Sequence, residues 1–241
     1  MKKIIITSIF LVMASAQLFA HYMWVETSAT GNLNQEQTVR VYFGEYTYGV
    51  TEEVGGDAFA KMDKFTLWLV DPAGNKTRLQ TSAEEKFYSS SFIPKVNGTY
   101  TLFLNNNEID VVDYTQYDFG IFKTHYHAVA KVNVGAANEE TAINNPEGIT
   151  LKSIPAETGK VKLQVLYKGE PLPKTEASIY VADLWSKKLE SDENGFIAFD
   201  LPWDTKYIVE VTTKEEAPGV YNGDNYEFIW HCVTYCITGN K

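Results

Sequence analysis

Short runs rich in Val, Ile, Tyr, Phe and Thr alternate along the chain with Gly, Asn, Asp and Pro, and no long segment carries an apolar period of 3.6 residues. Apolar runs of this length, punctuated by turn residues, are the signature of strands. The pattern predicts strands over 38–43, 64–70, 77–80, 86–92, 98–105 and 119–134, divided by turns of which Asp71-Pro72-Ala73-Gly74-Asn75 and Asn97-Gly98 are the plainest. These make a first β-sandwich over residues 21–140. From 135 to 155 the chain turns polar and irregular, which puts a domain boundary near residue 140, with 148–154 a short strand leading onward. Strands over 160–167, 177–182, 196–201, 206–212 and 228–237 then alternate with turns at 168–173 and 191–195. The expected fold class is all-β: two β-sandwich domains in tandem, 21–140 and 141–241.

Residues 1–20 break this pattern. Lys2 and Lys3 precede an apolar run from Ile4 to Met13, and small residues follow at Ala14, Ser15, Ala16 and Ala20, the grammar of a secretory signal peptide. The run is about ten residues against the roughly twenty that span a bilayer, and no later stretch is long and uncharged enough to serve as a transmembrane segment. Ala14-Ser15-Ala16 is the better small-x-small match and would start the mature chain at Gln17, whereas Leu18-Phe19-Ala20 has a larger first residue and would start it at His21. The second is favoured here, because the sequence from His21 to Glu26 already reads as a strand. The protein is then exported, to the periplasm or the cell surface.

Charge narrows the partners. The formal net charge is −10, and loss of Lys2 and Lys3 with no accompanying acid takes it to −12, which argues against nucleic acid. Cys232 and Cys236, four apart on one straight strand, would stand about 13 Å apart, beyond the roughly 7 Å that a disulfide tolerates. Two small apolar side chains in a sheet is the favoured reading, ahead of a bridge or a pair of thiolate ligands.

The candidate chemistry lies in four histidines. Cleavage after Ala20 would make His21 the first residue, offering an α-amine with a pKa of roughly 7.7 to 8.0 and a ring nitrogen that can chelate one ion together. In the run 124–134, strand alternation puts His125 and His127 on one face with Lys131 and Asn133, and Tyr126 on the other. Side chains two apart on a strand rise by roughly 6.5 to 7 Å, close enough for two imidazoles to lean onto one ion. His231 sits on a strand apolar on both faces, where a buried, hydrogen-bonded role competes with a ligand role. Glu26, Glu45 and Asp118 are the carboxylates available to complete a site.

The second unit resembles small immunoglobulin-like or carboxypeptidase-regulatory sandwiches, through Gly169-x-Pro171-Leu172, Asp192-x-Asn194-Gly195-Phe196 and Leu201-Pro202. More broadly, Ala20-His21-x-x-Trp24-x-Glu26, Phe43-Gly44-Glu45, Lys123-Thr124-His125-Tyr126, Pro146-Glu147-Gly148 and His231-x-x-Thr234 occur in one order over most of the chain. In that order they resemble an exported bacterial family of unknown function that includes periplasmic soluble components associated with nickel and cobalt uptake transporters. The resemblance implies an exported all-β protein and a metal-related role for His21, His125 and His231. His127 and the cysteines lie outside its pattern.

The function expected is therefore a transition-metal-binding accessory protein, not an enzyme. His21, His125, His127 and His231 are its candidate ligands for nickel, cobalt, copper or zinc, and a membrane metal-uptake transporter its expected partner. Two alternatives stay open: a carbohydrate- or protein-binding module without metal, and a copper histidine-brace oxidative enzyme built on His21. Hydrolase chemistry finds no support, since the chain has no G-x-S-x-G, H-E-x-x-H or Gly-rich phosphate loop.

Overall fold

The computed structural model describes residues 21–136 and 145–239. The signal-peptide expectation and the boundary near 140 fall outside these residues. Within them the regular structure is nearly all strand, the exceptions being one helical turn, Asp57–Ala60, and two short 3-10 turns. None of the helices is long and apolar enough to cross a membrane.

The strands that matter here are β1 (Tyr22–Glu26), β2 (Gln37–Glu45), β3 (Thr66–Val70), β4 (Lys76–Leu79), β5 (Tyr88–Phe92), β6 (Gly98–Asn106) and β7 (Ile121–Val134). They continue as β8 (Ile149–Ile154), β9 (Lys160–Tyr167), β10 (Glu176–Tyr180), β11 (Ser186–Glu190), β12 (Phe196–Asp200), β13 (Tyr207–Glu215) and β14 (Phe228–Ile237). Eleven of these fourteen start and end within about two residues of the sequence expectation; β1 was anticipated only as a strand start, the sequence reading set the C-terminal edge of β13 three residues early, and β11 was not anticipated at all.

They form three layers. A small sheet holds β1, β2 and β5; a long sheet runs β11-β10-β13-β14-β7-β6-β3-β4; and a third holds β8, β9 and β12. Both expected sandwich interfaces are present, one on each face of the long sheet. That middle layer is shared, since it joins a block of four strands from after residue 140 edge to edge with a block of four from before it. The junction is β7 with β14, a parallel pair in register from Phe122↔Phe228 to Ala130↔Cys236. β6 continues the ladder antiparallel to the last residues of β7, and β13 lies antiparallel to β14.

A parallel pair in the middle of three layers is buried on both faces, which is why 228–237 reads as a nearly continuous apolar run instead of an alternating one. One face packs Ala128, Ala130, Ile208, Cys232 and Cys236 against Met23, Trp24 and Val41 of the small sheet. The other packs Val129, Val209, Val233 and Tyr235 against Ile149, Leu151, Leu163 and Val165. Each such side chain contributes about 1.5–3 kcal/mol when fully buried. Thr234 ties the layers further by donating its hydroxyl to the Met23 carbonyl at 2.7 Å. Both cysteines are free and buried, and burial pushes both thiols up, as expected for structural residues of a sheet.

A fragment of residues 21–136 is expected to lack a cooperative thermal transition. Its β7 loses the whole ladder to β14, and the first core loses Ile208, Cys232 and Cys236. Differential scanning calorimetry of that fragment beside the full chain checks this, and a sharp fragment transition would show that the shared sheet is dispensable.

Candidate functional site

Register decides which histidines meet. His125 and His231 are direct partners across the β7–β14 pair, so both rings project to the same face, and their centroids lie 4.9 Å apart at an interplanar angle of 86°. His127 shares that face. Tyr126 and Cys232 point the other way, and on that side the Tyr126 hydroxyl donates to the His21 carbonyl at 2.7 Å. The long sheet therefore separates His21 from the other three imidazoles.

His231 is 1% exposed. Its Nε2–H donates to Glu215 at 2.9 Å, which fixes the tautomer and leaves the Nδ1 lone pair free. That Nδ1 is buried without a hydrogen-bond partner. It faces Gly148, where a Cβ would come within 2.7 Å of it. Beside them lies a cavity of about 40 Å³ lined by His125, His127, Asn145, Glu147, Gly148 and His231 among others. A void of that size accommodates a water molecule or a single ion.

The electrostatics keep these rings neutral. Burial, with the Lys123 ammonium next, draws His125 down to about 3, and burial also lowers His231 against the pull of Glu215. Glu215 itself is opposed by burial, but hydrogen bonds from Lys168, His231 and Tyr167 outweigh it and hold the carboxyl at about 2. Lys123 contacts the Asn107 carbonyl and stands 3.3 Å from His125 Nε2, with its own ionisation opposed by burial and favoured by Glu108 and Glu147. Neutral imidazole is the metal-binding form, and a carboxylate behind the ring is how ligating histidines are commonly oriented.

His127 is placed differently. Its Nδ1–H donates to Asn105 Oδ1 at 2.5 Å and its Nε2 accepts from the Thr150 hydroxyl at 3.0 Å. Both nitrogens are committed in a residue only 2% exposed, and burial draws it to about 3. This is a satisfied core histidine, although alternation correctly put it on the face of His125.

His21 is clasped by carboxylates. Its Nε2 bonds Glu52 at 2.7 Å, and its Nδ1 lies 3.3 Å from Glu45 Oε1, within ion-pair range but outside hydrogen-bond geometry. Glu45, 4% exposed, thus keeps Oε1 without a hydrogen bond, and burial raises its carboxyl against the influence of His21. Gly44 makes this clasp: at φ 146° any Cβ would run into the Val50 carbonyl, and the close pass of 50–51 brings Glu52 beside His21. Glu45 was one of three carboxylates singled out by sequence. Glu26 instead holds Trp24 and Lys206, and Asp118 is an exposed turn residue at φ 57°. Glu52 and Glu215 had no distinguishing signal in the sequence. Among the described residues, no group of three or more His, Cys, Asp or Glu is already gathered to hold a metal ion.

A family model described as a domain of unknown function (DUF4198) matches residues 18–215. This is most of the chain, which therefore belongs to that family. No curated protein matches it.

His127→Gln is expected to cost about 1–3 kcal/mol at neutral pH, through the bonds to Asn105 and Thr150. That deficit shrinks on acidification. Below about 6.5 an unfolded imidazole takes up a proton that native His127 refuses until about 3, so the wild type loses stability through this residue as pH falls and the variant is spared that share of the loss. The gap should narrow by about 1.5 kcal/mol between pH 6.5 and 5. Urea unfolding of both proteins at the two pH values measures it.

Proposed function

We propose that the protein carries a divalent transition-metal ion as cargo between His125 and His231 and acts as an exported accessory of nickel or cobalt uptake, passing the ion on without catalysing a reaction. The observation that carries this reading is the buried, unpartnered Nδ1 of His231, a residue oriented by Glu215 that lines a small cavity together with His125. Two neutral imidazoles suit nickel, cobalt, copper and zinc alike. Glu147, an asparagine carbonyl or water supplies the further donors. Lys123 and Lys168 place positive charge nearby, which weakens the hold on a cation and suits an ion that must be released. Export and the uptake-transporter partner rest on the signal-like residues 1–20 and on the sequence resemblance.

A second place is favoured by Glu45 Oε1. Cleavage after Ala20 would free the His21 amine to chelate with its ring, with Glu45 and Glu52 beside it. The other three imidazoles line the opposite face, so the neighbours of His21 are carboxylates, a set unlike a histidine brace.

Calorimetric titration of the exported protein with nickel, cobalt, copper and zinc, after mass spectrometry of its N-terminus, tests both places. His231→Ala and Gly148→Ala are each expected to lower affinity at least tenfold. The glycine variant does so by setting a methyl group against His231 Nδ1 while leaving every ligand side chain in the sequence. Binding at one equivalent that ignores both variants but is lost on acetylating the His21 amine would move the site to the terminus. The absence of binding by all four metals would overturn the carrier reading.

A further inference from the structure

Away from the histidine pair, a cavity of about 440 Å³ lies on the His21 side of the long sheet. That volume falls in the range of small-molecule sites. Its walls are aromatic. Phe119 meets Trp230 and Phe122 edge-on with centroids 5.1 Å apart in each case, Tyr114 meets Phe122 at 5.5 Å, and Phe43 and Tyr126 close the side near His21. Such rings present both faces and edges to an occupant.

The polar group within is a carboxyl. Glu210 lines the cavity from β13 and is 7% exposed; its oxygens accept from the Tyr180 hydroxyl at 3.0 Å and from Cys232 Sγ at 3.5 Å. Neither donor carries a positive charge. Lys61 also borders the cavity, but it is an exposed residue. Burial pushes Glu210 up to about 7, against the hydrogen bonds from Tyr180 and Cys232, and the nearby Glu45 adds to the push. Among the described residues Glu210 thus has no cationic donor of its own, while His21, paired with Glu45, and the exposed Lys61 stand at the border of the chamber.

We propose that this cavity binds a small organic cation, an ammonium group on a compact apolar body, with the aromatic walls facing the charge and Glu210 as its counter-ion. The walls supply cation–π attraction, and an ionised carboxylate in the same desolvated space supplies the opposite charge. A neutral ligand of the same shape would gain the apolar contacts alone and leave Glu210 uncompensated. A hydrated metal ion fits poorly, because rings cannot replace its oxygen and nitrogen donors. This site lies across the sheet from the His125–His231 pocket and does not depend on a metal ion held there, although His21, the alternative metal ligand, borders it.

The test is titration of the full exported protein with choline and with 3,3-dimethylbutan-1-ol, which replaces the ammonium nitrogen by carbon, followed by Trp fluorescence and thermal midpoint. Choline is expected to bind at least about tenfold more tightly than the alcohol. Glu210→Gln should remove most of that preference while keeping the cooperative unfolding transition. Phe119→Ala, at a half-buried wall position, should weaken choline with the fold intact. Gly148→Ala, on the other face, should leave choline binding unchanged, so this inference and the metal reading fail separately. Equal binding of choline and the alcohol, choline binding that ignores Glu210→Gln, or no binding of choline at millimolar concentration would each overturn the proposal.

Discussion

Both candidate sites depend on the parallel ladder between β7 and β14. It sets His125 opposite His231 and, one residue on, Tyr126 opposite Cys232, so alternate positions of the same two strands furnish two different chambers. A slip of one residue would exchange the faces. His231 would then enter the carboxylate side, and Cys232 would displace it beside His125. The burial of both faces opposes such a slip, because the apolar residues of each face already fit a separate partner sheet. Tyr235 and Val233 could not trade places with Cys236 and Cys232 without overfilling one core and emptying the other.

The two faces solve the problem of buried charge in opposite ways. On the histidine face burial next to Lys123 and Lys168 keeps the imidazoles neutral, and Glu215 beside them stays ionised. On the other face two carboxyls are buried, and burial raises both, Glu45 against the pull of His21 and Glu210 with Glu45 adding to the push. Each cluster leaves one buried atom without a hydrogen bond, His231 Nδ1 and Glu45 Oε1. Such an atom costs about 1–3 kcal/mol relative to a satisfied one. Its neighbours show that the cost is not forced by the fold. His127, one strand position from Tyr126 and equally buried, finds both partners in Asn105 and Thr150.

Local signals carried most of the fold. Turn residues and apolar runs placed β2 to β10 and β12 to β14, and the odd–even parity of β7 correctly joined His125 and His127 on one face. The edge strand β11, Ser186–Glu190, escaped because its Lys-Lys-Leu-Glu run has the charge that protects an edge and lacks the apolar pattern of a paired strand. The sharing of the long sheet was not legible either. Nothing local to 121–134 or 228–237 says that two segments about a hundred residues apart pair in parallel, and the boundary signals near 140 favour two separate units. The site suffered most from this. Parity told that His125 and His127 share a face, but the partner of His125 was His231, chosen by long-range register, while His127 was taken by side chains from β6 and β8.

The same register argues against treating the four histidines as one site. Bringing His21 to His125 would require the terminal strand to leave Met23, Trp24 and Val25, which are at most 1% exposed, and to cross a packed layer. Layers of this kind stand about 10 Å apart, several times the length of a metal–nitrogen bond. Each of those side chains holds about 1.5–3 kcal/mol in burial, and the Thr234 bond to the Met23 carbonyl adds to it. A metal bridge across the sheet would have to offset all of these terms. Two chambers built back to back on one ladder meet no such opposition, and each can be filled without disturbing the packing that positions the other.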